Sequence, residues 1–122
     1  MIVTTRLIAE GPAFSIYEIV SNGRSYVKEF VEELPEETRN RLVRLIEHIA
    51  DQGKPRSEQK FRHEEIGIFA IKQGQVRIYC FFDDDWVILL THGTIKKKNK
   101  ADPEDLKRAK RLRNAYRMAK RH

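Results

Sequence analysis

Apolar positions change their period several times along the chain, and each change marks an element. Phe14-Ser15-Ile16-Tyr17-Glu18-Ile19-Val20 is dense in β-formers and ends in the turn signal Ser21-Asn22-Gly23, which predicts a strand. Ile2 to Ile8, ahead of the Gly11-Pro12 break, reads as its partner. Between Arg24 and Leu34 the residues Val27, Phe30, Val31 and Leu34 recur at helical spacing. Pro35 closes that helix and opens the next, with Glu36 and Glu37 at the positive end of its dipole. Leu42, Leu45, Ile46 and Ile49 then share one face as far as Gly53-Lys54-Pro55. The pattern predicts a helical hairpin laid over a sheet.

Beyond residue 66 the period returns to that of strands. Ile66–Lys72, Gln75–Phe82 and Trp86–Thr91 are rich in Ile, Val, Phe, Tyr and Trp. Gln73-Gly74 and Asp83-Asp84-Asp85 separate them, so an antiparallel three-strand meander is expected. Asp102 is a good N-cap, Pro103 suits the first helical position, and Glu104 and Asp105 suit the first turn. Leu106, Ala109, Leu112, Tyr116 and Ala119 give the last helix a thin apolar stripe in a basic surround. The order β, α, α, β, β, β, α describes a small α+β fold, read as a single domain over residues 1–122.

Composition narrows the setting. With 122 residues, 40% apolar and 34% charged, the chain has enough apolar surface for one core and is neither disordered nor collagen-like. No apolar run approaches the ~18–20 residues of a membrane span. The first residues, Met1 to Arg6, lack the charged-then-apolar order of a signal peptide. The lone Cys80 excludes an internal disulfide and a thiolate zinc cluster. A cytoplasmic location is the expectation.

Charge is unevenly placed. Residues 96–122 hold twelve Lys/Arg against Asp102, Glu104 and Asp105, a net +9, while the remaining 95 residues net −3. A block of one sign on a near-neutral body is the footprint of a polyanionic partner or of a solvated helix. Alternation along Gln75–Phe82 puts Arg77, Tyr79 and Phe81 on one face and Val76, Ile78, Cys80 and Phe82 on the other. Arg77 therefore sits among apolar neighbours. Either an internal carboxylate such as Glu64 or Glu65 pairs with it, or its fork is open to an anionic ligand. His92 ends the last strand beside Lys96, Lys97 and Lys98, where like charges disfavour its imidazolium and suit it to proton transfer near neutral pH. His48 and His63 lack metal-ligand spacing and read as structural, and Glu32, Glu33, Glu36 and Glu37 form a solvated acidic patch.

Taken jointly, three runs carry a resemblance. Gly67-Ile68-Phe69-Ala70-Ile71-Lys72, then Gln75 to Phe82 with Arg77 before the aromatics, then Val87 to Lys97 through Pro103 resemble the HigB-like branch of the RelE/ParE toxin superfamily. These are the toxins of bacterial type II toxin–antitoxin pairs. The resemblance covers about residues 14–120 and implies a RelE-like fold and ribosome-dependent, metal-independent cleavage of mRNA, with no cofactor. It implies partners in an antitoxin of helix-turn-helix type, the ribosome and mRNA, and none in a membrane. It assigns the catalytic roles to Arg77, Lys96 and His92: Arg77 and Lys96 on phosphorane charge, His92 on the proton. RNA binding falls to Lys72, Tyr79, Lys97, Lys98 and Lys100. Ala70 stands where many relatives have glutamate, Thr94 replaces phenylalanine, and Asp102 replaces threonine. The loss of that carboxylate leaves the base role to His92 or to a lysine of lowered pKa. The alternatives are a non-enzymatic ParE-like toxin that binds a protein such as a topoisomerase, and a basic RNA- or DNA-binding module.

Overall fold

The computed structural model describes residues 2–97 and 101–120. The elements are β1 (Val3–Glu10), β2 (Ser15–Ser21), α1 (Tyr26–Glu32), α2 (Glu36–Gln52), β3 (Phe61–Glu65), β4 (Ile68–Gln73), β5 (Val76–Asp83), β6 (Val87–Ile95) and α3 (Pro103–Lys120). They build an α+β fold around one six-stranded sheet in the order β1-β2-β6-β5-β4-β3. All pairs are antiparallel except β2 with β6, where Ser15 to Glu18 run alongside Val87 to Leu90 in parallel. The sheet is therefore mixed, and the expected three-strand meander is a four-strand one, β3 to β6.

The missing strand has a physical explanation. Phe61-Arg62-His63-Glu64-Glu65 carries a single buried apolar side chain, Phe61, so no apolar alternation announces it. The next strand starts at Ile68 rather than Ile66, because Gly67 takes a positive φ of 77° and turns the chain. The first helix likewise starts two residues after Arg24, capped by the Ser25 hydroxyl, which accepts from the Lys28 amide at 3.0 Å.

Two apolar layers flank the sheet. On one side Leu42, Ile46 and Ile49 of α2 and Val27 of α1 close over Ile16, Ile71, Ile78, Cys80, Ile88 and Leu90. On the other side Ala109 and Leu112 of α3 cover Ile19, Ile68, Ala70, Phe81 and Leu89. The alternation read along β5 is thus observed: Val76, Ile78 and Cys80 meet the helical hairpin, and Tyr79 and Phe81 meet α3. Helix α3 is tied down at its far end, where Tyr116 donates to Asp83 at 2.5 Å and Lys120 pairs with the same carboxylate at 2.7 Å. No helix among the described residues is long and apolar enough to cross a membrane.

Candidate functional site

One irregularity in β6 decides which side chains meet. Phe81 faces Leu89 and Cys80 faces Leu90, but Tyr79 faces His92, so Thr91 is an extra residue in β6. Beyond this bulge His92 and Thr94 lie on the α3 side with Tyr79 and Arg77, while Gly93 turns toward the helical hairpin. There a Cβ would lie 2.3 Å from Cδ2 of Phe30, so only glycine fits. The α3-facing side of the sheet then shows two adjacent cross-strand rows. One runs Ala70, Tyr79, His92; the other runs Lys72, Arg77, Thr94.

The first row lies under α3 and is closed. His92 is 1% exposed, stacked on the Tyr79 ring with centroids 5.0 Å apart. Its Nδ1 meets the Thr91 hydroxyl at 3.0 Å and its Nε2 meets the Asp105 carboxylate at 3.3 Å. Burial drives the His92 pKa down to about 4 despite the pull of Asp105, so the ring is neutral at pH 7. The direction matches the expectation, but the main cause is desolvation rather than the lysines. Tyr79 is also 1% exposed, and burial with the nearby Asp105 and Glu64 charges raises its pKa. Neither ring touches solvent enough to meet a substrate in this fold.

Lys96, the first residue after β6, is paired twice. Its ammonium lies 3.5 Å from Asp102 and 3.3 Å from Asp105. Asp102 also accepts from the Glu104 amide at 2.9 Å, so the expected N-cap forms, and that bond with the Lys96 charge lowers its pKa. His92, Lys96, Asp102 and Asp105 together fasten the start of α3 to the end of β6.

The second row is open. Lys72 and Arg77 lie directly opposite each other on β4 and β5, 6% and 5% exposed, with no carboxylate within ion-pair distance among the described residues. Of the two arrangements open to Arg77, the internal ion pair does not form among the described residues. Glu64 pairs instead with Arg62 at 3.7 Å, and Glu65 pairs with Lys110 of α3. One guanidinium nitrogen of Arg77, Nη1, donates to the carbonyls of Gly74 at 2.7 Å and Val76 at 3.1 Å, which fixes the fork against the β4–β5 turn. Desolvation lowers the Lys72 pKa, and the charges of Arg77 and Arg62 add to it; desolvation likewise lowers that of Arg77. Both cations look into a depression of about 400 Å³ lined by Gln59, Lys60, Lys72, Gln73, Gly74 and Arg77.

The structure therefore brings Lys72 and Arg77 together and sets Tyr79 with His92 beside them under cover. Lys97 is exposed beyond the strand end, and Lys98 and Lys100 lie outside the described residues. Lys60, which borders the depression, and Arg62, whose charge reaches Lys72, were not picked out by sequence. Their only signal is the basic spacing of Arg56, Lys60 and Arg62 in a stretch without apolar period. The described residues contain no group of three His, Cys, Asp or Glu able to hold a metal ion. Among known families, residues 29–114, from α1 into α3, match the family described as phage derived protein Gp49-like (DUF891). No curated protein matches the chain.

Proposed function

The chain belongs to the Gp49-like family, a toxin-like, phage-derived family related to RelE-type proteins, and from that premise we propose that it is the toxin of a type II toxin–antitoxin pair that cleaves mRNA on the ribosome, as HigB-like toxins do. The observation that supports this reading is the buried, carboxylate-free pair Lys72 and Arg77 at the open depression. Two like charges directly opposite on neighbouring strands destabilise a sheet. Buried cations are ordinarily paired, and a phosphate in the depression would pair both.

In the proposed reaction the RNA 2′-hydroxyl gives up its proton to water and attacks the adjacent phosphate, forming a 2′,3′-cyclic phosphate as the bond to the 5′-oxygen breaks. Arg77, held by Gly74 and Val76, presents its remaining N–H groups to the phosphorane oxygens. Lys72, made more acidic by burial and by Arg77 and Arg62, supplies a proton to the leaving oxygen. His92 and Lys96 keep α3 in place and act as positioning residues, because the ring is buried and the ammonium already holds two carboxylates. The cognate antitoxin is the expected partner, and its binding would silence the depression.

The test is cleavage of a ribosome-bound mRNA by purified protein and by Arg77→Ala. The substitution is expected to lower cleavage about 10²–10³-fold, the scale for losing one donor to a developing charge, with the melting temperature unchanged. An Arg77→Ala protein with full activity removes the site from the reaction. Absence of cleavage by the unsubstituted protein, with RNA still bound, favours the second reading. That reading is a nucleic-acid-binding module using the exposed Lys107, Arg108, Arg111 and Arg117 of α3.

A further inference from the structure

We propose that the depression at the β4–β5 turn is a site for a phosphate monoester, the terminal phosphate of an RNA end, in preference to an internal phosphodiester. The inference rests on the same site as the nuclease reading and adds which form of phosphate it favours.

The charge around the depression sets that preference. Lys60 and the Lys72–Arg77 pair border it, with Arg62 adjacent. The carboxylates whose fields reach Lys72 are Glu64, bound to Arg62, and Glu58. Four cations against two carboxylates leave two positive charges. A phosphodiester brings one negative charge, whereas a monoester brings about two near neutral pH and three free oxygens. The donors match that count. Arg77 spends Nη1 on two carbonyls and keeps its other N–H groups, and Lys72 keeps an ammonium with three donors and no carboxylate within reach among the described residues. Both side chains are more than nine-tenths buried, so the strand backbones fix their positions and little order is lost on binding. Gly74, at φ 60°, has nothing within 4 Å of where a Cβ would be, so the rim of the turn is open to a chain end.

The experiment is calorimetric titration of the full chain with methyl phosphate and with dimethyl phosphate at matched ionic strength. Methyl phosphate is expected to bind about tenfold more tightly, the equivalent of one additional charge-assisted hydrogen bond. Lys72→Met and Arg77→Gln, each checked for an unchanged circular dichroism spectrum, are expected to abolish the difference. A trinucleotide with a 3′-phosphate and one with a 5′-phosphate, each against the unphosphorylated trimer, show which RNA end is the source; a gain at either end supports the site. Equal affinity for methyl and dimethyl phosphate overturns the inference, as does a preference that survives both substitutions. If the monoester preference holds while mRNA is not cleaved, the nuclease reading fails alone. If cleavage depends on Arg77 but the two esters bind alike, this inference fails alone.

Discussion

The two neighbouring rows on the α3 side of the sheet are in opposite electrostatic states. In the covered row His92 is matched with Thr91 and Asp105, and beyond it Lys96 is matched with Asp102 and Asp105. In the uncovered row, one strand-pair step away, Lys72 and Arg77 face each other without a counter-ion among the described residues. Matched buried groups specify a fold, and cutting one strands its partner in low dielectric. Unmatched buried cations weaken a fold, and their value is to a ligand. The contrast separates the residues that hold the site from those that use it.

The largest effect on stability is expected in the covered row. His92→Ala removes a stacked, doubly bonded ring and leaves Asp105 without one of its partners, for a loss of about 3 kcal/mol in urea unfolding. Methyl phosphate affinity should stay within a factor of two of the parent, on the order of the scatter between distant sites. Unchanged stability with lost phosphate binding would reverse the two roles. Acid gives the next effect. The folded His92 takes up its proton only near pH 4, whereas the unfolded chain does so near 6.5. Falling pH therefore protonates the unfolded state first, so stability declines from about pH 6.5 and by pH 5 is lower by about 2 kcal/mol. His92→Gln should flatten that part of the profile, and an unaltered slope would place the titration elsewhere. The smallest effect belongs to the uncovered row: Lys72→Met, which relieves a like-charge pair at equal bulk, should leave stability unchanged or raise it by about 1 kcal/mol. A clear loss would mean that Lys72 is matched by a partner after all.

The sequence announced those parts whose signal is local. Apolar period located the hairpin helices and the last three strands, and the alternation of Val76 to Phe82 put Arg77 and Tyr79 on one face, as the packing shows. Asp102 marked the start of α3 through its own side chain. What was not legible depends on distant segments. Strand β3 is held by pairing with β4 rather than by apolar residues of its own. Burial of His92 and Tyr79 depends on where α3 lands, which no spacing within β5 or β6 encodes. The choice between an internal carboxylate and an open fork for Arg77 was not legible, because Glu64 is taken by Arg62, two residues earlier on the same strand. The bulge at Thr91 left no residue signal, yet it brings His92 to the side of Tyr79.

The parallel pairing of β2 with β6 bears on the order in which the protein comes into being. The β1–β2 hairpin and the β3-to-β5 meander join near neighbours in sequence and can form early during synthesis. The strip between them stays vacant until Val87 to Leu90 leave the ribosome, because no other strand pairs with both β2 and β5. Pairing across so long a loop is slow. The β4–β5 turn with Lys72 and Arg77 joins strands adjacent in sequence, whereas β6, which supports them, must also pair with the distant β2. The last-made helix, α3, closes the molecule on one side and carries seven of its 24 Lys and Arg.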